Sequence, residues 1–110
     1  MKYHIHITKQ AELDMDNAAS YIKSMLLNPD AALNLLLQAK KEINALSDFP
    51  QRNPLVDDEF LSGWGIRFTA IKNYLVFYII SEEEKTVHFI RFLYGRRSWS
   101  RILRQGFSLD

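Results

Sequence analysis

Residues 85–103, KTVHFIRFLYGRRSWSRIL, decide how this chain reads: a β-type run breaks at one glycine into an arginine-rich tail. Val87 to Tyr94 is apolar except for His88 and Arg91, which suits a strand. Gly95 then interrupts the run, and Ser98 to Arg104 has the length and composition of a short closing helix. From Lys85 to Asp110 there are six Lys or Arg and one acidic residue, an excess of +5. Residues 1–84 carry eight basic against twelve acidic residues, so the near-neutral total of +1 hides an uneven distribution. A basic cluster at a strand end, interleaved with Tyr94, Trp99 and Phe107, fits a polyanion or an acidic peptide. It equally fits a solvated surface, where most arginines lie.

Outward from that stretch, two more strand signals precede it. Trp64, Ile66, Phe68 and Ala70 alternate with Gly65, Arg67, Thr69 and Ile71, and Tyr74 to Ile80 is apolar throughout. Lys72-Asn73 and Ser81 to Glu84 supply the turns between the three. The Glu82-Glu83-Glu84 run reads as a solvated turn rather than a general base. A further strand opens the chain, because Tyr3, Ile5 and Ile7 alternate with Lys2, His4, His6 and Thr8. Between this strand and the later three lie two helices. The first carries Ala11, Met15, Ala18, Ala19, Ile22, Met25 and Leu26 on one stripe, behind a Thr8 cap. Asn28-Pro29 breaks it, and Ala32, Leu35, Leu36, Ala39, Ile43 and Leu46 form the stripe of the second. So short a break predicts an antiparallel helix hairpin. Phe49-Pro50 ends the helical half, and Gln51 to Gly63 shows no periodicity, as a binding or variable loop would.

The expected fold is therefore a single α/β (α+β) domain over residues 1–110. Its order is β-α-α-β-β-β with a short C-terminal helix, and an antiparallel sheet is covered on one face by the hairpin. The other face is expected to be partly open and to carry the function. With no cysteine, disulfides and thiolate metal sites are excluded. No apolar run approaches the roughly 20 residues of a membrane span. The N-terminus lacks an apolar signal core, which predicts a cytoplasmic protein with no membrane partner.

Candidate side chains follow from the same reading. His4 and His6 share a strand face two residues apart, a spacing that can hold a metal, but no carboxylate lies nearby in sequence, and no metal or cofactor is expected. His88 suits proton transfer, as histidines do, or a hydrogen-bonded structural role on the face of Ile90 and Phe92. Tyr94 suits proton donation, base stacking or packing of the sheet edge. Arg91, mid-strand, is expected in a half-buried ion pair. Arg96, Arg97 and Arg101 are the exposed candidates for target binding, with Trp99 as a helix anchor or a further contact.

The words TKQAELDMDNAASYI, FPQRNP, GIRF, NYLVFYII and HFIRFLYGRRSW, in this order and spacing, resemble the RelE/ParE superfamily of bacterial toxins. Those toxins are the active halves of type II toxin–antitoxin modules. The likeness runs from about Tyr3 to Leu103 and is most specific at Gly95 to Trp99. It implies a cognate antitoxin as partner and one of two targets: DNA gyrase for the ParE-like branch, or mRNA on the ribosome for RelE-like cutters. In the cutters, a 2′-OH attacks the neighbouring phosphate, which needs a base, an acid and cations for the developing charge. The resemblance places Arg97, Arg67 and tentatively Tyr94 in such a catalytic set. It also puts Leu75 and Leu103 where the cutters carry an arginine and a tyrosine. NYLVFYII and YGRRSW sit closer to the ParE branch, although Tyr94 and Ser98 replace its histidine and aspartate.

Overall fold

The computed structural model describes residues 2–110. Strand β1 (His4–Ile7) leads into helices α1 (Lys9–Ser24) and α2 (Pro29–Ala45). A 3-10 turn (Pro50–Arg52) and helix α3 (Glu59–Ser62) follow, then β2 (Arg67–Ile71), β3 (Tyr74–Ser81), β4 (Thr86–Tyr94) and α4 (Trp99–Arg104). The order expected from sequence is present. The Gln51–Gly63 stretch, expected as a plain loop, holds two short helical turns.

Local chemistry explains the element ends. The Thr8 hydroxyl accepts from the Ala11 N–H at 3.2 Å, and the Asn28 side chain accepts from the Ala31 N–H at 3.1 Å. Each satisfies an orphan donor at its helix start. Pro29 opens α2, where a missing N–H costs nothing. α1 ends at Ser24, so Met25 and Leu26 do not continue its buried stripe. They are 74% and 59% exposed at the tip of the hairpin.

The sheet runs β1-β4-β3-β2. β2, β3 and β4 pair antiparallel as expected, whereas β1 joins β4 in parallel, His4 opposite Thr86. The α1–α2 hairpin is the crossover that brings the chain back for this parallel pairing. Near its middle β4 carries a bulge: Tyr78 pairs with Phe89 and Phe77 with Arg91, leaving Ile90 over. The bulge corrects a simple alternation. Ile90 lies in one core and Phe92 in the other, so His88 does not share a face with both.

Both sheet faces are covered. Against the hairpin, Met15, Leu35, Ile43, Val76, Tyr78, Phe89 and Phe92 form the first core. On the other face Val56, Leu61 and Ile66 meet Phe77, Ile90, Leu93 and Leu103, with Trp99 and Phe107 packed alongside. The expectation of a partly open face fails here. The 50–63 segment and α4 carry enough apolar side chains, at no regular period, to bury it. Trp64 corrects the sequence reading as well: it precedes β2, in a turn, and is 60% exposed.

Candidate functional site

The end of the sheet where β3 begins and β4 finishes carries a cluster of exposed cations. The N–H of Gly95 donates to the carbonyl of Asn73 at 2.8 Å, bringing the turn after β4 against the β2–β3 turn. A Cβ on Gly95 would stand 3.2 Å from that carbonyl, so glycine permits the close approach. Arg96 and Arg97 follow, both exposed, with Lys72 exposed on the neighbouring turn and Arg101 exposed on α4. None of the four takes part in an ion pair among the described residues. Lys72 was not recognised as a site residue from sequence. Its signal was its place in the hairpin turn that the Gly95 register brings alongside.

Beside this basic turn lies a groove of about 600 Å³ between α1 and the ends of β3 and β4. Tyr21, Ile22 and Leu26 form one wall, Tyr74, Phe92 and Tyr94 the other, and Arg97 stands at its edge. Tyr74 stacks on Phe92 at 5.0 Å and meets Tyr94 edge-on at 5.6 Å. Burial pushes the Tyr74 phenol above its ordinary value of 10, with Tyr94 and Tyr21 adding to the shift, so it stays a neutral hydroxyl. The walls are apolar with polar tips, a surface suited to an amphipathic peptide.

The other candidates are placed differently. Arg67 donates through Nη1 to the carbonyls of Gln51 at 3.3 Å and Asn53 at 2.5 Å, holding the loop before β2. It pairs with Tyr78, whereas Tyr94 pairs with Tyr74. The two sites are four β3 residues apart, roughly 13 Å along the sheet, with β3 between their strands. Arg67 is therefore not part of the basic turn. Trp99 also turns inward, its ring 5.4 Å from that of Phe77, which makes it an anchor rather than an exposed contact. Tyr94 stands at the groove, on the sheet edge.

The histidines lie elsewhere. His6 Nδ1 and His88 Nδ1 lie 2.8 Å apart, within hydrogen-bond distance across β1 and β4, and His88 Nε2 is 3.4 Å from Glu84. His88 and Tyr94 face β3 partners Ile79 and Tyr74, five residues or roughly 17 Å apart. Its structural reading holds, and it supplies no proton at Arg97. Among the described residues no group of three His, Asp or Glu side chains could hold a metal ion. Leu75 is packed against the second core and Leu103 lies within it.

The family described as "ParE toxin of type II toxin-antitoxin system, parDE" matches residues 5–99, and the chain belongs to it. The fold is shared with a chain of the chromosomal ParDE toxin–antitoxin system from P. aeruginosa. That match has a TM-score of 0.69 at 15% identity, covering 84% of this chain and 96% of that one. A chain of the toxin–antitoxin complex RelBE2 from Mycobacterium tuberculosis superposes with a TM-score of 0.57 at 19% identity, covering 86% and 92%. No curated protein matches at a significant level. Among the described residues no helix is long and apolar enough to cross a membrane.

Proposed function

We propose that this chain inhibits growth in the cytoplasm by acting on DNA gyrase through Arg96, Arg97 and Arg101, and that a cognate antitoxin neutralises it. One observation carries the choice of target class: among the described residues, no histidine and no unengaged carboxylate lines the groove beside Arg97. RNA cleavage by 2′-OH attack needs a base and an acid beside the phosphate-binding cation. The groove beside Arg97 is lined by tyrosines, asparagines and apolar side chains, its carboxylate, Asp14, is held by Arg91 and the Phe92 N–H, and Leu75 and Leu103 are packed in the core. An unpaired cationic turn with apolar rings beside it supports binding rather than bond cleavage. The antitoxin reading is supported by the groove. An amphipathic segment fills the Tyr21–Leu26–Tyr94 walls, and an acidic residue following it meets Arg97.

Two assays separate the readings. Purified protein is expected to leave mRNA uncut on translating ribosomes and to stabilise cleaved DNA in a gyrase supercoiling reaction. Codon-positioned cuts in primer extension would instead make it an mRNA interferase, with Tyr94 as the proton donor to examine. No activity in either assay, together with no growth defect on induction, would mark a degenerate member that only binds antitoxin.

A further inference from the structure

We propose that Phe60 and Trp64, with Arg101, form a second surface that grips a folded protein target, separate from the groove that takes the antitoxin. The proposal rests on the toxin reading above and adds the site of target recognition. In the segment 56–66, Val56, Leu61 and Ile66 point into the second core, while Phe60 and Trp64 point out, 54% and 60% exposed. Two large rings on water are not needed to fill that core. Their backbone is fixed. Asp58 accepts from the Leu61 N–H at 3.1 Å, and the N–H groups of Gly63, Trp64 and Gly65 bond the carbonyls of Glu59, Leu61 and Ser62. Rings held on so short and bonded a turn lose little freedom on binding, the property of interface anchors.

The surroundings select the partner. Arg104 lies 5.4 Å over the Phe60 ring while its guanidinium grips Asp58 at 3.0 Å, and Trp64 meets the edge of Phe107 at 6.3 Å. Arg101, one turn before Arg104 on the same helix, is exposed and unpaired among the described residues. Asp57 and Glu59 are exposed immediately beside the rings. Those carboxylates repel a phosphate backbone, so the mixed patch fits a protein surface better than a nucleic acid. The complement is an apolar cleft for two rings, with carboxylates on the side that meets Arg101.

The patch also explains how one partner excludes the other. It lies over the second core, on the sheet face away from the hairpin, whereas the groove lies on the hairpin side. α4 joins it to the basic turn, and Arg97 belongs to both the turn and the groove edge. An antitoxin seated in the groove covers Arg97 and breaks the target surface without touching Trp64.

The test compares the wild type with the double variant Phe60→Ala/Trp64→Ala and the ring-keeping pair Phe60→Tyr/Trp64→Phe. Growth inhibition on induction, thermal unfolding, oligomeric state, nucleic-acid retention and co-purification with the antitoxin of the adjacent gene are measured for each. The expected result is that the Ala pair folds, keeps the antitoxin and loses growth inhibition, while the ring-keeping pair stays toxic. Full toxicity of the Ala pair overturns the proposal. So do equal loss of antitoxin, a wild-type dimer that the Ala pair converts to monomer, and nucleic acid retained by wild type alone. Each points to another occupant. A wild type without any growth defect sinks the toxin reading itself, and this surface with it.

Discussion

Asp14 on α1 and Arg91 on β4 meet in a two-armed ion pair at 2.7 and 3.0 Å across 77 residues of sequence. The same carboxylate accepts from the Phe92 N–H at 3.0 Å. β1 pairs with β4 only as far as Phe89, so beyond that point the β4 edge has no strand beside it. Asp14 takes the strand's place. Thr8 does the same one step earlier, donating its hydroxyl to the Phe89 carbonyl at 2.8 Å. Together they seat α1 along β4 and set the width of the groove between Tyr21 and Tyr94.

Breaking this pair leaves one charge without its partner in a site where the two side chains are only 8% and 17% exposed. Asp14→Ala and Arg91→Ala are each expected to cost about 3 kcal/mol and to lower Tm by more than about 10 °C. Thermal unfolding checks this. A change of only a few degrees would mean that water fills the gap and that the pair does not hold α1 in place.

The acid side of the stability curve is set by two other carboxylates. The Arg104 guanidinium and the Leu61 N–H hold Asp58 below its ordinary 3.8, and hydrogen bonds from Tyr3, Lys85 and Gln51 hold Glu82 below its ordinary 4.5. A lowered folded value means that the unfolded chain takes up the proton first. Their stabilisation is therefore complete above about pH 4.5 and is lost as pH falls through the lower folded values. Tm measured from pH 6 to pH 2 is expected to fall below pH 4.5, and less steeply in Asp58→Asn. An equal slope in that variant would contradict the assignment of Asp58.

Much of this arrangement was legible in the chain. Tyr74 to Ile80 and Val87 to Tyr94 are apolar runs of strand length, and Asn28-Pro29 marks the hairpin turn without ambiguity. The parallel pairing of β1 was not legible, since alternation in Tyr3, Ile5 and Ile7 is the same for either direction. Nor was the bulge, whose extra residue Ile90 looks like any other in an apolar run. The covered second face was missed because Val56 and Leu61, ahead of the strand signals, fall on neither a helical nor a strand period. In the candidate site, exposure of Arg96, Arg97 and Arg101 was read correctly from their place after Gly95. Arg67, which the resemblance sets beside Arg97, lies apart from it with β3 between their strands.

That separation gives a paired expectation. Arg97→Ala removes an exposed cation and is expected to abolish growth inhibition while changing stability by no more than about 0.5 kcal/mol. Arg67→Ala removes two bonds to loop carbonyls and is expected to cost about 1–2 kcal/mol, with toxicity reduced only as far as folding is. Growth and unfolding are measured on the same proteins. An Arg97→Ala protein that stays toxic would remove the basic turn from the account of function. An Arg67→Ala protein that is fully stable and non-toxic would return Arg67 to it.

The groove makes the last prediction, because its two walls do different work. Tyr21 lies on α1 and Leu26 just past its end, on the wall opposite the strand ends that carry Arg97, so they are free to change without removing that cation. Leu26→Glu places a carboxylate on an apolar wall and opposes any amphipathic segment seated there. The variant is expected to fold normally, since Leu26 is already 59% exposed. It should also remain toxic and escape its antitoxin, so that co-expression with the adjacent gene no longer restores growth. Arg97→Glu in the same experiment should lose toxicity and antitoxin together, as the one residue common to both surfaces. Growth rescue and co-purification of both variants decide the matter. A Leu26→Glu protein that is still neutralised would place the antitoxin elsewhere on the molecule and leave the tyrosine-lined groove without a role in neutralisation.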